Sequence, residues 1–132
     1  MVLINSPYQI YKQSSVQTAA PGQLIIMLYD GAIRYIKSGI EGIQNHQYEH
    51  ANTNLIKCQS IIHELIASLN RDIPISENLL RIYEYMLHLV IQANVKKDTK
   101  PAEEVLGYLE QFRETWKQAV KGTAFPQQAL EN

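Results

Sequence analysis

Cysteine, surplus charge of either sign and long uncharged apolar runs are all scarce in this 132-residue chain. Its one cysteine, Cys58, can close neither an intrachain disulfide nor a four-ligand zinc cage. Twelve Lys and Arg against 13 Asp and Glu leave a formal net charge of -1. A nucleic-acid binder or a polybasic membrane-surface protein would carry a basic excess, so neither class fits. The longest uncharged apolar run, Leu24 to Tyr29, is far too short to cross a bilayer. The opening residues Met1 to Pro7 lack the basic start and apolar stretch of a secretory leader. These absences predict a cytoplasmic protein with no nucleic-acid partner and no direct membrane insertion. The length suits one domain with a hydrophobic core.

Strand-type alternation is also missing. Asp30-Gly31 offers a hairpin turn, yet apolar residues at helical spacing run straight through it: Leu24, Leu28 and Tyr35, with Ile26, Tyr29, Ile33, Ile36 and Ile40. Four helical segments are predicted. The first runs from Pro21, suited to a first turn, to Ile43, with a break at Asn45-His46. The second spans Tyr48 to Leu69 and is closed by Asn70 to Pro74. The third begins at Ser76, expected as the N-cap with Glu77 at the positive end of the dipole, and runs to Lys97. The fourth starts near Thr99 or Pro101 and stops at Gly122. Short connections between long segments predict an all-α fold, an antiparallel up-down-up-down four-helix bundle. Its expected organisation is an N-terminal arm over residues 1–17, the bundle over 18–122 and a mobile C-terminal tail over 123–132.

At about 100° per residue, the apolar side chains of the second and fourth segments occupy arcs of roughly 140° and 160°, ordinary for a bundle. Those of the first and third spread over about 200°. On the first segment only Asp30, Arg34, Lys37 and Glu41 form a polar strip; on the third, Arg81, Glu84, His88 and Gln92. A bundle helix buries about half its circumference, and soluble proteins rarely leave large apolar patches open. The cover could be the chain's own ends, a second copy in a homodimer, another protein, or a bundle wrapped tightly enough to seal itself. Pro7-Tyr8-Gln9-Ile10-Tyr11 offers amphipathic rings suited to a reversible lid.

Little in the sequence invites catalysis. His46 and His50 stand four apart without a third metal ligand. His88, on the polar strip, permits an alternative reading as a histidine phosphotransfer module, but Glu84 one turn away would repel a phosphoryl group. Cys58 falls on the inner stripe of its segment. Gly39 and Gly42 suit close helix packing better than phosphate binding. No phosphate loop or nucleophile elbow occurs, so neither an enzyme activity nor a cofactor or metal is expected.

The string Thr18-Ala19-Ala20-Pro21-Gly22-Gln23-Leu24, continued by Met27-Leu28-Tyr29-Asp30-Gly31-Ala32-Ile33, closely resembles the start of the flagellar secretion chaperone FliS family. So does Asn5-Ser6-Pro7-Tyr8-Gln9-Ile10-Tyr11. Tyr83-Glu84-Tyr85-Met86, Ala93-Asn94, Lys97-Asp98 and Phe112-Arg113-Glu114-Thr115-Trp116 resemble later hallmarks, so the likeness covers Asn5 to about Gly122. It implies a bacterial cytosolic chaperone that holds the C-terminal segment of flagellin, prevents premature polymerisation and helps deliver the subunit to the export gate of the flagellar type III apparatus. It also implies an arm that fills part of the groove when flagellin is absent. Combined with the wide arcs, the expected partner-binding groove comprises Ile26, Tyr29, Ile33, Ile36 and Ile40 with Leu80, Leu87 and Ile91. The expected lid is Tyr8, Ile10 and Tyr11.

Overall fold

A computed structural model of the chain describes residues 21–121. Four helices follow in order: α1 (Pro21–Gln44), α2 (Tyr48–Ser68), α3 (Ile75–Lys96) and α4 (Thr99–Lys121). The described residues contain no extended strand ladder. Each helix packs on its sequence neighbours and α4 closes back on α1, giving the antiparallel four-helix bundle. The expected arm, its lid residues Tyr8, Ile10 and Tyr11, and the expected tail lie outside the described residues.

Two helices stop without glycine. His46 and Lys97 both take the left-handed conformation, with φ of 60° and 52°. At the end of α1, the His46 N–H donates to the Ile43 carbonyl and the Gln47 N–H to that of Gly42. That is the bonding pattern usually completed by glycine. His46 also stacks on Tyr48, with ring centroids 5.7 Å apart. At the end of α3, the Lys97 ammonium curls back onto the Asn94 carbonyl and side-chain oxygen, both at 2.7 Å. Asn94 in turn donates to the Asn52 side chain of α2 at 2.7 Å.

The beginning of α3 differs from expectation. Pro74, already helical at φ -55° and ψ -38°, precedes the first helical residue, so Ser76 lies inside the first turn. Its side chain is fully buried and its hydroxyl finds no partner among the described residues. The proline's fixed φ starts the helix, leaving no capping role for the serine. Glu77 does stand in the first turn, and Arg71 reaches it at 3.0 Å.

The core is aliphatic with a polar pair at its centre. Tyr29 of α1 and Tyr83 of α3, both fully buried, join hydroxyls at 2.5 Å across the bundle. Phe112 of α4 sits 6.0 Å from each ring. Packing around this centre is unequal: α1 lies closest to α2 and then α4, whereas α3 is held by fewer neighbours. Glycine explains the closeness of α1. The missing Cβ of Gly31 would meet Ile61, that of Gly39 would meet Leu55, and that of Gly42 would lie 2.9 Å from the backbone nitrogen of Ala51. Backbone cannot step aside as a side-chain tip can. Gly42→Ala is therefore expected to destabilise the bundle by about 1–3 kcal/mol, read as a lowered urea midpoint with the unfolding slope unchanged.

Candidate functional site

The two wide apolar arcs have different fates. On α1 every residue of the arc is buried or half-buried, and the exposed apolar side chain, Met27, lies outside it. The α4 edge of α1 is closed by Arg113 on Asp30 at 3.2 Å, with Lys37 and Glu110 at 4.0 Å. On α3 the arc is left incomplete. Ile91, at its edge, is 45% exposed, Leu80 and Leu87 are half-buried, and Val95, just past the arc, is 78% exposed.

The expected groove residues therefore separate. Tyr29, Ile33, Ile36 and Ile40 are buried members of the core cluster, which corrects their assignment to an outer flank. The physical reason is the glycine contact with α2, which draws α1 inward until both shoulders of its arc are enclosed. Ile26 is half-buried against the same core. Leu80 and Leu87 are half-buried and Ile91 is open, so these three do share an accessible strip.

That strip runs along the seam between α2 and α3. The Asn52–Asn94 hydrogen bond sets the antiparallel register there. One turn on from it along each helix stand Ile56 and Ile91, both exposed. Val95 lies beside them, and Leu87 and Leu80 continue the line toward the start of α3. Sequence reasoning missed Ile56, which falls off the inner stripe of α2, and Val95, which follows the last periodic residue of α3.

A second feature was missed altogether. Between α3 and α4 lies an open apolar depression of about 450 Å³ lined by Arg81, Ile82, Tyr85, Tyr108, Gln111 and Phe112. At its edge the hydroxyls of Tyr85 and Tyr108 both donate to Glu104. The signal available in sequence was Glu104 and Tyr108 one turn apart, opposite a tyrosine on the outer side of the third segment.

The other candidate groups are dispersed. His88 is exposed on α3 with Glu84 one turn away; His46 lies in the turn between α1 and α2 and His50 in the first turn of α2, both exposed. Among the described residues no three His, Cys, Asp or Glu side chains gather as a metal site. No described helix is long and apolar enough to cross a membrane.

The sequence pattern of the family described as "Flagellar protein FliS" matches residues 4–123. The chain belongs to the FliS family. It is 46% identical to the flagellar secretion chaperone FliS of Bacillus subtilis over 118 residues, covering 89% of each chain. The FliS chaperone of Salmonella typhimurium is 33% identical, again over 89% of each chain, and that of Escherichia coli 29% over 85%. The FliS-like strings now have structural places. Leu24 to Ile33 forms the part of α1 that carries Gly31 and Tyr29. Tyr83 to Met86 supplies the other half of the buried hydroxyl pair. Ala93-Asn94 and Lys97-Asp98 build the left-handed stop of α3 and its tie to α2.

Cys58 is fully buried on the inner face of α2. Burial pushes its thiol up from 9.0 to about 12, because the thiolate would lose its hydration. The folded chain thus keeps this proton where the unfolded chain releases it, so the thiol's contribution to stability is present below pH 9 and is lost as pH rises from 9 to 12. An aromatic disulfide reagent at pH 8 is expected to leave Cys58 unlabelled in the native protein and to label it fully in denaturant.

Proposed function

We propose that the chain is a cytosolic export chaperone that captures the C-terminal segment of flagellin and releases it to the export gate of the flagellar type III apparatus. The observation carrying this reading is the uncovered apolar strip of α3, Leu80, Leu87, Ile91 and Val95, continued by Ile56 of α2. The names of the relatives supply the secretory context. The guest binds as an amphipathic helix, with anchors three and four residues apart laid along the α2–α3 seam.

Energetics set the guest's length. Burying one large aliphatic side chain contributes about 1.5–3 kcal/mol, whereas ordering each guest residue costs about 1–2 kcal/mol. A guest with one anchor cannot hold on, so several separated contacts are required. Binding alone keeps the guest from polymerising; no bond is made or broken, and release comes from a competing partner at the gate. His88, with Glu84 beside it, has no part in this scheme.

Ile91→Asp and Val95→Asp should each weaken binding of a flagellin C-terminal peptide at least tenfold by titration calorimetry, with helical circular dichroism unchanged. Unchanged affinity in both variants would exclude this strip. The arm residues Tyr8, Ile10 and Tyr11 compete with the guest, and a lid that closes most molecules weakens apparent affinity by the fraction left open. Removing residues 1–13 should therefore tighten or accelerate capture of the same peptide. Sedimentation with and without the peptide separates this chaperone from a homodimer that seals its own flanks.

A further inference from the structure

The outer face of α3 and α4 lies apart from the flagellin strip, and its features do not depend on that reading. Gly107 occupies the middle of α4, exposed, and among the described residues nothing lies within 4 Å of the place its Cβ would take. Glycine inside a helix is less stable than alanine. Gly39 and Gly42 offset that through contact with α2, but among the described residues no neighbour needs Gly107 to be bare. Close by, Glu104 is held by two phenols, with Tyr85 at 2.9 Å and Tyr108 at 3.0 Å on one carboxylate oxygen. Both phenols are pushed above their ordinary range, chiefly by the hydrogen bond to that carboxylate. Next to the same tyrosines, Ile82 and Phe112 line the apolar depression.

We propose that this face docks an amphipathic helix of a partner protein, which seats a bulky aliphatic side chain against Ile82 and Phe112, runs its backbone over Gly107 and brings a lysine or arginine to Glu104. A bare glycine lets a crossing helix approach more closely than any side chain would permit. The carboxylate selects a basic guest because two donors fix its position before binding, so little freedom is lost on pairing. Arg81, which also lines the depression, has no ion pair among the described residues.

The test uses the full chain and two labelled 18-residue helical peptides with the same leucine stripe, one flanked by lysines and one by glutamates. Fluorescence anisotropy should give at least tenfold tighter binding for the lysine peptide, and Glu104→Gln should abolish that difference. Gly107→Leu should weaken the lysine peptide at least tenfold while raising the thermal midpoint, since leucine is the better helix former. Equal binding of both peptides, or an affinity unmoved by Gly107→Leu, would overturn the proposal. Loss of lysine-peptide binding on Val95→Asp with none on Gly107→Leu would overturn it too, by placing the peptide on the α2–α3 seam.

Discussion

The close approach of α1 to α2 governs how the rest of the bundle is arranged. Gly31, Gly39 and Gly42 present bare backbone to Ile61, Leu55 and Ala51, so the two helices meet without side chains holding them apart. With α4 closing the other side, α1 hides an apolar arc that would be too wide for a more loosely packed helix. The third helix carries an arc of similar width without such contacts, and its edge stays in solvent at Ile91, with Val95 exposed just beyond it. The inequality between two similarly apolar helices is what gives the bundle a face to offer.

The centre of the core sets the positions around it. Tyr29 and Tyr83 reach across from opposite helices and hydrogen-bond to one another where both are fully buried, while Phe112 braces both rings. Buried polar groups need partners, and a matched pair fixes how α1 and α3 face each other more narrowly than aliphatic contacts alone. The exposed strip on α3 follows from that fixed rotation: with Tyr83 and Val90 turned inward, Leu87 and Ile91 fall on the shoulder toward α2.

Element order and helix limits were legible in the sequence to within about two residues, because apolar periodicity over twenty residues is a strong signal. Gly39 and Gly42 were also readable as sites of close packing. What periodicity could not give was the division of a wide arc into core and flank. It measures the angle an apolar face covers, whereas burial depends on how near the neighbouring helix comes. For that reason periodicity alone does not show that Tyr29, Ile33, Ile36 and Ile40 are enclosed by the approach of α2 to the glycines of α1. Ser76 looked like a cap because its residue type suits one, but the backbone had already turned helical at Pro74. The α3–α4 depression needed the register of two helices to bring Tyr85 and Tyr108 onto one carboxylate, and a single sequence does not state that register.

The two sides of the bundle are fastened by different chemistry. Arg113 on Asp30 and Lys37 near Glu110 fasten the α1–α4 edge with opposite charges, whereas Asn94 and Asn52 fasten the α2–α3 seam with neutral amides. Mobile ions screen the first kind of tie and leave the second almost untouched, and excluded salts strengthen apolar burial. A rise in ionic strength would thus loosen the rear of the scaffold slightly while the greasy strip keeps its shape and grows, if anything, more adhesive.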